Sequence, residues 1–305
     1  MRVVFMGTPS YATKILNSIS QDKKYEIVAI FTQPDKPVGR KKTLTPPNVK
    51  LWQMENAPKI KLYQPNRLRD SENIEVLQRL KPDFIIVAAY GQILPKEILN
   101  IAPCINLHAS LLPKYRGASP IQSAILNDEK YSGITAMLMD EGLDTGKILG
   151  FKYLKIQDNN SLELFEKLSN IASSLILKIL NEYENIEPLD QIHVLSSYAP
   201  KIKKEDGLIF LSWSAKKIYS HFKALTPWPG IFFENGLKIL ECELVNDEKE
   251  YETLGQILNI DEESITITTK KGSLKIKSVQ MPSKNAMQVT EFLKGFRRSV
   301  GDNLF

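Results

Sequence analysis

Two side chains able to manage a developing charge lie two positions apart in Asn106-Leu107-His108, at the end of an apolar run. In an extended strand that spacing puts both on one face. An imidazole can move a proton near neutral pH. A carboxamide beside it donates to an oxyanion without changing its own charge. A second segment, Asp140-Glu141-Gly142-Leu143-Asp144-Thr145-Gly146, brings carboxylates into a glycine-rich loop behind another strand. A carboxylate beside His108 would orient the ring and favour its protonated form. Each segment also has a plainer explanation: a structural histidine at a strand end, and ordinary turn chemistry. Taken singly, spacing favours the plainer explanations.

The elements that must position these residues read as alternating strands and helices. Val3-Val4-Phe5-Met6 ends at Gly7 and leads into a helical stretch through Ile19. Ile27 to Phe31, Phe84 to Ala89, Ile105 to Leu107 and Ile134 to Met139 are further short apolar runs. Such runs between helical patterns predict an α/β fold with a mostly parallel, Rossmann-like sheet. In that architecture the carboxyl ends of the strands face the ligand crevice. Leu164, Leu168, Ile171, Leu175 and Ile179 fall at helical spacing and predict a helix closing this region near Tyr183. Residues 1–184 are therefore read as one domain and 185–206 as a linker carrying Lys201-Ile202-Lys203-Lys204. From 207 to 305 a helix is expected after Ser214, a suitable N-cap. Short strands follow, separated by Asn235-Gly236 and Lys271-Gly272. Several short strands within about 80 residues predict a small OB-like β-barrel.

Composition excludes several classes. The 305 residues are 43% hydrophobic and 25% charged, which is globular rather than disordered. Two cysteines, Cys104 and Cys242, allow at most one disulfide and fit a reducing cytoplasm. With three scattered histidines they offer no zinc-type spacing, so no metal is expected. The longest apolar run is too short to span a bilayer, and no secretory signal or membrane partner is read. Gly7-Thr8-Pro9 lacks the further glycines of a dinucleotide loop, which excludes a nicotinamide cofactor. The net charge of +5 is compatible with a nucleic-acid partner without requiring one. Charge is uneven, however. Residues 234–263 hold two basic and ten acidic side chains, whereas 264–300 hold eight basic and one acidic. A polyanion-binding face and a mixed solvated surface account for this equally well. Arg40, Lys41 and Lys42 sit in a long loop with several prolines, readable as solvated surface or as an arm ordering on phosphates. Trp52, Trp213 and Trp228 are read as packing residues, and His193 and His221 as structural.

Together, Asn106-x-His108, the loop Ser110-Leu111-Leu112-Pro113 and the later Asp144-Thr145-Gly146 resemble the active-site set of the 10-formyltetrahydrofolate-dependent formyltransferases. Phe31-Thr32-Gln33-Pro34-Asp35, the Gly39-Arg40-Lys41-Lys42 run, Leu225-Thr226-Pro227-Trp228-Pro229-Gly230 and the Phe292 to Arg297 tail are similar to the branch that acts on a charged tRNA. The resemblance spans nearly the whole chain. It implies formyl transfer from 10-formyltetrahydrofolate to the α-amino group of methionyl initiator tRNA, by a cytoplasmic monomer. It implies that Asn106 and His108 stabilise the oxyanion and that Asp144 orients His108 or takes a proton. It assigns Ser110, Leu111, Leu112 and Pro113 to the folate pocket, with Tyr90 and Gln92 on the same crevice. Arg40, Lys41 and Lys42 are assigned to the tRNA. Lys114 and Arg116 are open to phosphate, the folate tail or solvent. Three competing functions remain: transfer to a sugar-linked amine, hydrolysis of formyltetrahydrofolate, and tRNA binding without chemistry.

Overall fold

The structure is a computed structural model describing residues 1–39 and 41–305. Two compact units emerge from it. One comprises Met1–Pro120, Tyr131–Lys155 and Phe165–Ala199, the other Ile121–Lys130, Ile156–Leu164 and Pro200–Phe305.

The first unit opens with β1 (Arg2–Gly7), α1 (Ser10–Gln21) and β2 (Glu26–Phe31). On α1 the buried residues Tyr11, Ala12, Ile15, Leu16 and Ile19 recur every three or four positions, so one stripe seals against the sheet. Two short strands, β3 (Lys36–Val38) and β4 (Thr43–Thr45), then pair antiparallel. Next come α2 (Asn48–Asn56), β5 (Leu62–Tyr63), α3 (Ser71–Leu80) and β6 (Phe84–Ala88). All five residues of β6 are buried, as expected of a central strand covered on both faces. Each large side chain so removed from water contributes about 1.5–3 kcal/mol. The short α4 (Lys96–Leu99) precedes β7 (Cys104–His108), β8 (Arg116–Gly117), α5 (Pro120–Leu126), β9 (Tyr131–Leu138) and β10 (Ile148–Lys155).

The main sheet has the order β10-β9-β7-β6-β1-β2-β5. Pairs β1–β2, β1–β6, β2–β5 and β6–β7 are parallel; β7–β9 and β9–β10 are antiparallel. The mostly parallel Rossmann-like sheet read from the sequence is thus present, with an antiparallel edge. The chain runs outward from β1 to β5, then returns to β6 on the other side of β1. That reversal opens a crevice beyond the carboxyl ends of β1 and β6. Thr8, just after β1, donates its hydroxyl to the Tyr90 carbonyl just after β6, at 3.0 Å, and so ties the two lips together.

The segment expected as a linker, 185–206, is well paired over part of its length. Leu189 exchanges backbone hydrogen bonds with Ile148, and β11 (Tyr198–Ala199) pairs in parallel with β8.

In the second unit α7 (Ala215–Leu225), which follows α6 (Ser161–Glu182), starts at Ser214, whose hydroxyl accepts from the Lys217 N–H as an N-cap. The strands are β12 (Ile231–Phe232), β13 (Lys238–Glu250), β14 (Ile257–Ile260), β15 (Ile265–Thr268), β16 (Lys271–Gln280) and β17 (Met287–Gln288), followed by α8 (Val289–Phe296). They form an antiparallel sheet of order β12-β13-β16-β15-β14, with β17 added on β16, consistent with the OB-like expectation. Strand pairing on both sides of β16 brings the acidic and basic stretches together. Lys277 contacts Glu243 and lies 3.6 Å from Glu241, and Lys275 lies 3.7 Å from Asp261. Part of the basic stretch is therefore neutralised across the sheet, as a mixed surface requires.

Candidate active site

Asn106 and His108 occupy the carboxyl-terminal half of β7, where the period-2 pleat sends both toward one face. The loop between β9 and β10 carries Asp144 to meet them. One Asp144 oxygen accepts from Asn106 Nδ2 at 3.3 Å. The other accepts from the Gly117 N–H at 2.9 Å and lies 3.5 Å from His108 Nδ1. His108 is 6% exposed, and its Nε2 lies 2.8 Å from the Tyr115 carbonyl. A carbonyl only accepts, so Nε2 carries a proton and Nδ1 is left facing the carboxylate. With a second proton, both ring N–H bonds meet acceptors and the ion pair is enclosed. An amide nitrogen has two N–H bonds, so serving Asp144 does not exhaust Asn106.

The loop itself is built by its other carboxylate. Asp140 accepts from the Gly142 N–H at 3.0 Å and from the Thr145 hydroxyl at 2.6 Å. This frees Asp144, held at φ +53°, a conformation Asp tolerates better than most residues. Gly146 is required by close approach, because a Cβ there would stand 1.7 Å from the Leu138 carbonyl oxygen. A cleft of about 440 Å³ opens beside the loop, lined by Lys96, Leu99, Asn100, Met139, Asp140 and Glu141. Lys96 and Glu141 pair across it at 3.0 Å.

Other expected site residues fall differently. The Ser110 hydroxyl donates to the Lys114 carbonyl at 2.6 Å. Thr135 donates to the Ser110 carbonyl and accepts from the Leu112 N–H. The Ser110 hydroxyl hydrogen, the Ser110 carbonyl and the Leu112 N–H are thus engaged in shaping the turn, Leu112 is buried, and the Leu112–Pro113 peptide is cis. Leu111 lies over Gly133 of β9, where an added Cβ would stand 2.6 Å from its side chain. Gln92 is a clamp, accepting from the Leu68 N–H and donating to the Pro65 carbonyl. The Tyr90 ring belongs to the core, with Phe31 and Val87, because β6 ends by turning it inward. What Tyr90 offers the crevice is its carbonyl, which accepts from Thr8 and Gln33. Lys41 and Lys42 are exposed at the turn of the β3–β4 hairpin, with Lys42 at φ +49°. Arg40 lies outside the described residues. The arm expected as a long loop is instead a strand pair, because Val38 and the β-branched Thr43 and Thr45 suit a ladder closed at Gly39, φ +73°. Arg116 faces neither crevice nor solvent alone: its guanidinium bonds Gln191 Oε1 and contacts His193 Nδ1 at 3.0 Å.

Sequence reasoning missed Thr135, Tyr115, Ser197 and Gln191. Thr135 was findable from strand pairing, since it lies opposite His108 in the β7–β9 register. Ser197 and Gln191 sit in the expected linker and carry no local signal. Ser197 accepts from the Tyr115 N–H at 2.9 Å, steadying the residue that holds His108.

The family of formyl transferases matches residues 1–179, and its C-terminal domain matches 201–297. A methionyl-tRNA formyltransferase from a Nitratiruptor species is 54% identical over 306 residues, covering 100% of both chains. The chain belongs to the formyl transferase family. A Campylobacter jejuni methionyl-tRNA formyltransferase is 51% identical over 99% of both chains. Among solved structures, an N-formyltransferase from Helicobacter canadensis, bound to folinic acid and dTDP-3-aminofucose, superposes with TM-score 0.69 at 21% identity. It covers 91% of this formyltransferase and 99% of that chain. HypX from Aquifex aeolicus with tetrahydrofolic acid gives 0.62 at 16% identity, over 99% of this formyltransferase and 48% of that longer chain. These two likenesses concern the fold. Members of the formyltransferase family draw the formyl group from 10-formyltetrahydrofolate. Among the described residues of this formyltransferase, no helix is long and apolar enough to cross a membrane, and no three acidic, His or Cys side chains cluster as a metal site.

Proposed function

We propose that this chain transfers the formyl group of 10-formyltetrahydrofolate to the α-amino group of methionyl initiator tRNA. The observation that carries the reading is the meeting of Asn106, His108 and Asp144 within 3.5 Å, in a chain similar along its whole length to proteins named for that reaction. Residues 1–184 carry the chemistry, and 207–305 with Lys41, Lys42 and Arg40 carry the tRNA. In this reading the folate lies over the Asn106–His108–Asp144 cluster, at the carboxyl ends of the strands, where its formyl group can meet those side chains.

The neutral amine attacks the formyl carbon and a tetrahedral oxyanion forms. Asn106 supplies a hydrogen bond to that oxygen, and the His108 imidazolium supplies positive charge beside it. Asp144 orients the ring and accepts the proton that the attacking nitrogen loses. The bond from the formyl carbon to the folate nitrogen then breaks, and that nitrogen leaves with a proton returned from the His108–Asp144 pair. Proton count balances, and the products are formyl-methionyl tRNA and tetrahydrofolate.

The test is incubation with 10-formyltetrahydrofolate and charged initiator tRNA, with mass analysis of the amino acid released from the tRNA. Formyl-methionine is expected. Formate released without an acceptor would replace this reading with hydrolysis.

A further inference from the structure

We propose that Gln191 is a positioning residue of this site, fixing the Asp144 carboxylate by holding its backbone and its partner strand at once; the inference rests on the role given to Asp144 above. Gln191 is 5% exposed. Its Nε2 donates to the Asp144 carbonyl at 2.9 Å and the Gly146 carbonyl at 2.8 Å. Its Oε1 accepts from Arg116 Nε at 3.1 Å and Nη2 at 2.7 Å. Arg116 precedes Gly117, whose N–H holds the Asp144 carboxylate at 2.9 Å. The bonds therefore close a circuit: Gln191 to the Asp144 backbone, the Asp144 side chain to Gly117, and Arg116 back to Gln191.

The circuit demands an amide. Two carbonyls converge on one end and need two N–H donors, whereas a guanidinium on the other end needs an acceptor. Glu lacks the donors, and Lys or Arg lacks the acceptor. Asp144 sits at φ +53°, and the two bonds from Gln191 to the carbonyls of Asp144 and Gly146 bracket that backbone position. Both ends of the Gln191 amide are engaged by protein, so its role is to hold Asp144 rather than to bind substrate. The chain around it is anchored separately, by the Leu189–Ile148 bonds and the β11–β8 pairing, which delivers Gln191 to the loop from outside the sheet.

Two variants separate this role from mere structural support. Gln191→Glu keeps an acceptor for Arg116 and loses both donated bonds; Gln191→Leu loses all four. The first readout is amide hydrogen exchange at Gly117, which reports the Asp144 carboxylate, against Ala118, which donates to the Ala199 carbonyl at 2.9 Å in the same strand pairing. In Gln191→Glu the Gly117 amide is expected to exchange at least ~10-fold faster than in the parent, with Ala118 changed by less than ~2-fold. The second readout is formylation kinetics: kcat should fall ~10- to 100-fold with KM for folate and tRNA within ~3-fold. Should Gln191→Leu fail to fold, Gln191→Glu carries the test. Unchanged Gly117 exchange, equal loss of protection at Gly117 and Ala118, or a defect carried by KM each overturns the proposal. A parent without formylation activity would remove the proposed function instead, and the exchange readout would still judge Gln191.

Discussion

Asp140 and Asp144 stand four residues apart in one loop and do different work. Asp140 accepts from Gly142 and Thr145 on its Oδ1, within the turn, whereas Asp144 reaches Asn106, His108 and Gly117. Replacing Asp144 by Asn keeps the shape and removes the charge that supports an imidazolium. Folate binding should persist while kcat drops. A collapse of folate affinity with unchanged saturated turnover would make Asp144 a ligand contact instead. Asn106→Ala and His108→Ala should each lower turnover by at least ~100-fold in folded protein, since each removes stabilisation that exists only once the oxyanion forms. Steady-state kinetics alongside circular dichroism checks this, and near-parental turnover would take either residue out of the mechanism. The pairing of Asn106 with His108 was legible because a strand's period of two is rigid. The capture of Nε2 by Tyr115 was not, because it depends on how the Ser110–Lys114 turn folds back and on Ser197 holding the Tyr115 N–H. Trp228 is a plain miss: expected in packing, it is 59% exposed.

At the scale of elements, the Asp144 loop depends on a glycine whose need is steric. Gly146→Ala would drive a Cβ into the Leu138 carbonyl, and displacing that backbone should cost about 1–3 kcal/mol of stability. Thermal unfolding measures the cost; a melting temperature equal to the parent's would show that the loop absorbs the methyl freely. The hairpin β3–β4 is anchored at its base by Lys50, whose ammonium lies 2.8 Å from Asp35, with Gln64 donating to the same carboxylate at 2.7 Å. The hydrogen bond from Lys50 holds the Asp35 carboxyl below the usual carboxylate range. A lowered folded-state value means that this support is present above the ordinary carboxylate range and is lost as pH falls through the lowered value. Replacing Arg40, Lys41 and Lys42 with Ala should leave folate binding intact and weaken tRNA use, most at low salt. If all three touch phosphates, the log–log salt slope should shrink by up to ~2 to 3. Identical slopes for parent and triple variant would return these side chains to plain solvated surface. The strands and long helices were legible from apolar periodicity. The hairpin was not, because three-residue strands bounded by proline and glycine look like loop in sequence.

For the molecule as a whole, each unit has its own sheet, and the charge pattern gains meaning only once the second is paired. Lys275 and Lys277 answer acidic residues of the same unit, whereas Lys270, Lys271, Lys284, Lys294, Arg297 and Arg298 remain exposed. A linear count could not separate the two groups, because strand pairing decides which lysines meet a carboxylate: β13 against β16 for Lys277, and the β14–β15–β16 side of the sheet for Lys275. The acceptor amine must be neutral to attack, so the rate of transfer should also fall as pH drops below that amine's own titration range. The most direct measurement of the central claim is a competition. The enzyme receives 10-formyltetrahydrofolate carrying a labelled formyl group, with methionyl initiator tRNA and a sugar-linked amine present together. Label is expected on the methionine α-nitrogen, dependent on Asn106. Label on the sugar amine, or as free formate at the same rate with and without tRNA, would contradict formyl transfer to the initiator.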